Sequence, residues 1–162
     1  MAPAGKSGLS MPAFDPETVK GREGTGYPEP YRSSVGRRIK RALGEAAGLE
    51  NFGVNLVRLE PGAWSSIRHW HTRRDEFIYV LEGELALITE GGEQTLGPGM
   101  AAGFAAAAPD GHHLVNKSPQ AAIYLEVGDR SPGDDVTYPD ADLALKHGAE
   151  SYTFTHNDGQ AY

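Results

Sequence analysis

The chain contains no cysteine. That excludes a disulfide framework, a thiolate metal site and nucleophilic cysteine chemistry, so any metal must be held by nitrogen and oxygen. No run of about eighteen uncharged apolar residues occurs, and the opening Met1-Ala2-Pro3-Ala4-Gly5-Lys6 lacks the apolar core of a secretory signal. The expected setting is the cytoplasm, with no membrane partner. Basic residues are the minority, 15 against 22 acidic ones, and the net charge of -7 sets the field of the whole molecule against nucleic acid. The local cluster Arg37, Arg38, Lys40 and Arg41 reads as a solvated face or a subunit contact. No nucleic-acid partner is expected, and no helix pair of the DNA-binding kind is evident.

Against these absences stand 21 glycines and 11 prolines in 162 residues, which indicate many turns and few long helices. The length suits one domain with extended ends. Residues 1–50 read as a partly irregular N-terminal arm, 51–127 as a barrel core and 128–162 as a C-terminal extension. The first thirty residues show no period, and no core residue is expected there. Arg38-Ile39-Lys40-Arg41-Ala42-Leu43 fits either a strand or a helical turn. Short strands are expected at Phe52 to Leu59, Trp64 to His71, Glu76 to Leu81, Glu84 to Thr89, Glu93 to Leu96, Met100 to Phe104, His112 to Asn116 and Ala121 to Val127, with Tyr152-Thr153-Phe154 as a last one. Repeated short strands with turn signals, such as Gly91-Gly92, imply an all-β sandwich or barrel.

The most informative segment is His69-Trp70-His71, followed by Glu76 and the apolar run Phe77-Ile78-Tyr79-Val80-Leu81 that ends at Gly83. In an extended strand, histidines one residue apart share a face, and a carboxylate from the next strand can close on the same point. Parity sends Trp70 to the opposite face. If Glu76 points inward, Ile78 and Val80 follow it, while Phe77, Tyr79 and Leu81 form a second apolar face, as in a strand buried on both sides. A further imidazole is available at His112 or His113. Imidazoles with one carboxylate suit iron, zinc, manganese or nickel better than magnesium or calcium, so one divalent transition metal per chain is expected.

These intervals resemble the two boxes of the cupin family. The first box runs glycine, spacer, His-x-His, Glu and Gly. Here Gly62, His69, His71, Glu76 and Gly83 follow it, with four residues between His71 and Glu76 and six between Glu76 and Gly83. The second box maps onto Gly97-Pro98-Gly99, then Ala105 to Gly111 in place of a Pro-x-Gly turn, then His112 with Asn116. The resemblance implies a double-stranded β-helix, or jelly roll, with metal ligands His69, His71, Glu76 and His112, and it favours His112 over His113 because of Asn116. A homodimer is also implied.

Three functions remain open at this level. One is redox-neutral chemistry on a small polar or anionic molecule, such as isomerisation or epimerisation of a sugar phosphate. A second is an iron-dependent dioxygenase, and a third is a barrel that binds a small ligand without catalysis. Tyr124 and Glu126 share a face and are candidates for acid or base work. Arg73, Arg74 and Asn55 are candidates for holding the substrate.

Overall fold

The computed structural model describes residues 12–147 and 151–162. Its strands are β1 (Arg22–Glu23), β2 (Arg38–Ala42), β3 (Phe52–Leu59), β4 (Trp70–His71), β5 (Glu76–Glu82), β6 (Leu85–Thr89), β7 (Gly92–Leu96), β8 (Ala101–Phe104), β9 (His113–Val115), β10 (Ala122–Asp129), β11 (Val136–Thr137), β12 (Ala144–His147) and β13 (Tyr152–Thr155). Two single-turn helices, α1 (Arg32–Val35) and α2 (Leu43–Ala46), flank β2. The strands form a six-stranded sheet in the order β1-β2-β3-β10-β5-β8, a three-stranded sheet β7-β6-β9 and a four-stranded sheet β13-β12-β11-β4. The all-β jelly roll is therefore present. Among the described residues no helix is long and apolar enough to cross a membrane.

Alternation fixes which side chains enter the core. Val80, Tyr124, Val57 and Lys40 face one another across β5, β10, β3 and β2, and Ile78, Glu126, Asn55 and Ala42 form the adjoining row. Val57, Leu59, Ile78, Val80 and Tyr124 on the large sheet pack against Leu85, Leu87, Leu96 and Leu114 on the three-stranded one. Each such side chain, fully buried, contributes roughly 1.5–3 kcal/mol of transfer free energy. Gly83 closes β5 where a side chain cannot fit: its φ is +76°, and a Cβ would lie 2.7 Å from the Ala121 carbonyl oxygen. Only glycine satisfies both demands.

A second cluster joins Tyr27, Val35, Ile67, Val136, Tyr138 and Leu143. Tyr27 corrects the expectation that the first thirty residues supply no core, because a lone aromatic ring in a Gly- and Pro-rich segment leaves no period to read. The segment after Gly128, expected to be turns and one strand, forms β11, β12 and β13. Through β11 this sheet carries β4, which holds His71.

Two further expectations are revised. Trp64 to His71 is not one strand: only Trp70 and His71 form β4, with bridges from Trp64 to Val115 and from His69 to His112. The carbonyls of Ser65, Ser66 and Ile67 are instead met by side chains, those of Arg38, His113 and His69 respectively. Carbonyls satisfied by side chains do not enter a ladder. The outer face of β5 is also not buried within the chain, since Phe77, Tyr79 and Leu81 are 45%, 39% and 40% exposed.

Candidate metal centre

Glu76 opens β5 with its carboxylate turned inward, and three imidazoles meet it. Its Oε2 lies 2.8 Å from His112 Nε2 and 3.5 Å from His69 Nε2, and its Oε1 lies 3.4 Å from His71 Nε2. Two ligand atoms each about 2.1 Å from one ion, and at right angles to each other, are about 3.0 Å apart, so these separations fit donors gathered round a single cation. His69, His71 and Glu76 each place a ligand atom within 4.8 Å of the others, whereas His112 meets Glu76 but does not share that mutual spacing. Each group comes from a different local structure: His69 from the bend, His71 from β4, Glu76 from β5 and His112 from the residue just before β9.

The imidazoles are held by their far nitrogens or their ring faces. His69 Nδ1 lies 2.9 Å from the Ile67 carbonyl oxygen and 3.1 Å from Ser66 Oγ. His71 Nδ1 lies 2.6 Å from Oδ2 of Asp134, whose other oxygen accepts from the Arg73 backbone N–H at 2.8 Å. In both, a proton on Nδ1 leaves the Nε2 lone pair directed at the cluster. His112 instead stacks on Phe104 with ring centroids 3.5 Å apart, and its Nδ1 is buried without a partner. Of the neighbouring pair, His112 reaches Glu76. His113 places Nδ1 3.0 Å from the Ser66 carbonyl oxygen and sets its ring edge to face with Trp64.

Asn116 does not touch the cluster. Its amide donates to the carbonyls of Leu59 at 2.9 Å and Gln120 at 2.7 Å, and its Oδ1 accepts from Ser118, so it pins the turn that leads from β9 into β10. The turn at Ala105 to Ala108 keeps its place without Pro-x-Gly. Ala107 adopts φ +61°, its N–H donates to the His71 carbonyl at 2.9 Å, and Ala106 N–H donates to Asp75 Oδ1 at 2.8 Å.

Charge in the cluster is unevenly shared. Burial pushes the Glu76 carboxyl up, but the imidazoles of His112, His69 and His71 outweigh it and hold it well below the usual range. Burial works against protonated His71, yet Glu76 and Asp134 together lift it to about 9. His112 has only Glu76, and burial with two nearby imidazoles takes it down. The second carboxylate explains why two histidines that share Glu76 move in opposite directions.

The cluster lies in the wall of a cavity of about 200 Å³ that Tyr124, Glu126, Lys40 and Arg38 also line. Glu126 lies 2.6 Å from Lys40 Nζ and accepts from Asn55 Nδ2 at 3.2 Å. Asn55 meets this cavity through Glu126 and lines an adjoining pocket with His71, Glu76 and Glu126. Arg73 and Arg74 do not line the cavity, but Arg74 lines two adjoining pockets, one with His71 and His112 and one with His71, Glu76 and Glu126. Arg74 donates to the Ser131 carbonyl at 3.3 Å and lies 3.7 Å from Asp134. Sequence reasoning missed Asp134, read only as part of a turn, and Phe104, whose ring carries no motif. It also assigned Arg38 and Lys40 to a solvated face or a subunit contact, whereas β2 turns both into the cavity.

The cupin domain family model matches residues 55–128. A crystal structure of a sugar phosphate isomerase of the cupin superfamily from Silicibacter pomeroyi is 42% identical over 93% of this chain and 96% of that one, with a TM-score of 0.89. A protein of Acidithiobacillus ferrooxidans, provisionally described as a sugar phosphate isomerase, is 29% identical over 77% and 80% of the two chains, with a TM-score of 0.70. The polyketide cyclase RemF of Streptomyces resistomycificus shares the fold at 24% identity over 74% and 80%, with a TM-score of 0.61. None of the curated proteins matches. Box spacing, sheet order and the likeness to the Silicibacter protein along nearly its whole length lead to one conclusion: the chain belongs to the cupin superfamily.

Proposed function

We propose that this cupin is a metal-dependent enzyme that isomerises or epimerises a small sugar phosphate. The observation that carries the reading is the convergence of three imidazoles and Glu76 on a cavity that also holds the Lys40 and Glu126 pair. The 42% identity to a sugar phosphate isomerase supports the reaction class. His69, His71, His112 and Glu76 would hold the ion, and their nitrogen and oxygen donors suit zinc, manganese, iron or nickel. When bound, such an ion polarises a substrate carbonyl or hydroxyl and stabilises the negative charge that develops there.

The remaining steps belong to the chain. Glu126 is the base. It removes the proton from the carbon beside the carbonyl and returns it on the same face to the former carbonyl carbon, while the hydroxyl proton passes to the former carbonyl oxygen. In an epimerisation a water on the opposite face would supply the new proton, and Glu126 would release the one it took. Lys40 balances its charge at 2.6 Å, and Asn55 fixes the same carboxylate oxygen at 3.2 Å. Ile78 and Leu114 give the cavity apolar walls, which keep bulk water from the reacting carbon.

The working unit is a homodimer. Phe77, Tyr79 and Leu81 are exposed on the outer face of β5, beside Leu125 and Val127 of β10, and a second copy would cover them.

Proton exchange tests the reaction. Sugar phosphates incubated with the metal-loaded protein in heavy water should lose the NMR signal of the proton next to the carbonyl, and chelation should stop the loss. Oxygen uptake by an iron-loaded protein with no such exchange would contradict the proposal in favour of a dioxygenase.

A further inference from the structure

Arg38 is a buried cation with no salt-bridge partner among the described residues. Its side chain lies in the cavity wall and the residue is 8% exposed. Among the described residues the other buried charged side chains are paired: Arg68 with Asp140 and Glu90, and Asp134 with His71. Among these residues Arg38 alone has no ion pair. Its Nη1 donates to the Ser65 carbonyl, and its Nε is buried with no hydrogen-bond partner. A guanidinium left in this state has lost its water and gained one neutral acceptor in return, which is unfavourable unless something else completes the shell.

A second unpartnered donor lines the same cavity. Tyr124 is fully buried, and its hydroxyl has no hydrogen-bond partner among the described residues. Tyr124 faces Val57 across β10 and β3, Val57 faces Lys40, and Arg38 lies two residues before Lys40 on the same side of β2. Arg38 and Tyr124 therefore line one cavity, each with a buried donor left without an acceptor among the described residues.

We propose that Arg38, with the hydroxyl of Tyr124, binds the phosphate group of the substrate. This assignment rests on the sugar phosphate reading above and deepens it by naming the residues that select the anion. The planar fork of a guanidinium matches two phosphate oxygens at once, which a lysine ammonium does not. Lys40 is not free for this role, because Glu126 at 2.6 Å already neutralises it. Arg74 is held by Asp134 and Ser131 and lines the adjoining pockets beside His71, not the cavity that Arg38 and Tyr124 share. The anchor is also tied to the metal centre: Ser65 holds Arg38, and the next residue, Ser66, contacts His69 at 3.1 Å. A bend of two serines thus fixes the anion site relative to an imidazole of the cluster.

The test uses inorganic phosphate and acetate as probes, titrated calorimetrically into metal-stripped protein so that neither can bind an ion in the cluster. Wild type should bind phosphate saturably. Arg38→Met should weaken binding by at least about tenfold, Arg38→Lys by less, and Tyr124→Phe by a smaller factor again. Melting curves and metal uptake of each variant check folding, and should Arg38→Met not fold, Arg38→Lys and Tyr124→Phe carry the comparison. Equal phosphate affinity in wild type and the folded variants overturns the assignment, as does the absence of saturable binding in wild type. Acetate binding that depends on Arg38, without phosphate binding, also overturns it. Arg38-dependent phosphate binding in a protein that exchanges no sugar phosphate proton would uphold the anion site and defeat the proposed reaction.

Discussion

Nδ1 of His71 lies 2.6 Å from Oδ2 of Asp134, a carboxylate that is 1% exposed and therefore cannot exchange its partner for water. The pair fixes both the ring and the position of its proton. Asp134→Asn keeps the shape but can present an amide N–H to the nitrogen that should donate. The expected result is metal affinity reduced by about 10- to 100-fold, measured by competition with a chromogenic chelator, with little change in the fold. Unchanged affinity would mean that Asp134 merely closes the turn before β11.

Acidity should govern metal loading. His71 is lifted to about 9 in the metal-free protein, so near neutral pH a proton occupies a position that the ion requires. Apparent affinity should rise about tenfold per pH unit toward that value. Stability of the metal-stripped protein carries the opposite sign for this residue. A histidine raised above its ordinary value stabilises the fold fully below that value, and the contribution fades as pH rises to about 9. Glu76, held below its ordinary value, contributes above that value and loses its contribution on acidification. Chemical denaturation across this range, with and without metal, measures both trends.

Ala107 occupies the left-handed region at φ +61°, in the turn where the family box has Pro-x-Gly. A residue with a Cβ is strained there by roughly 1–2 kcal/mol. Glycine removes the strain but adds freedom to the unfolded chain, worth about 0.4–1 kcal/mol. Ala107→Gly should therefore raise stability by about 0.5–1 kcal/mol. The melting temperature should increase without loss of metal. A decrease would show that the turn is not strained.

The exposed row on β5 predicts assembly. Tyr79→Glu places a charge in the middle of Phe77, Tyr79 and Leu81 and leaves the inward Ile78 and Val80 untouched. Wild type should sediment as a dimer at micromolar concentration and the variant as a folded monomer. A monomeric wild type would contradict the homodimer.

How much of this was legible in the sequence depended on how local the determining contacts are. His69, His71 and Glu76 lie within eight residues, and strand parity with the spacing to Gly83 was enough to group them. The barrel strands β3 and β5 to β10 announce themselves by short apolar runs and turn residues. Asp134 and Arg38 were not legible as parts of the site. Asp134 meets His71 only because β11 pairs with β4, and neither two-residue strand has a pattern to detect. Arg38 sits in a basic cluster that resembles a solvated face, and only the register of β2 on β3 separates it from Arg41, which pairs outward with Glu17. The bend at Ser65 to Ile67 was misread as strand because its carbonyls are satisfied by side chains, two of them, Arg38 and His113, remote in sequence.

The central claim is that His69, His71, Glu76 and His112 hold one transition-metal ion. The most direct test is the metal content of the protein purified without chelator or affinity tag, measured by mass spectrometry for wild type and for Glu76→Gln and His112→Ala. The account predicts close to one ion per chain in wild type and a marked loss in both variants, with a lower melting temperature after chelation. Metal-free wild type whose stability is indifferent to chelator and to added zinc, manganese, iron or nickel would contradict it.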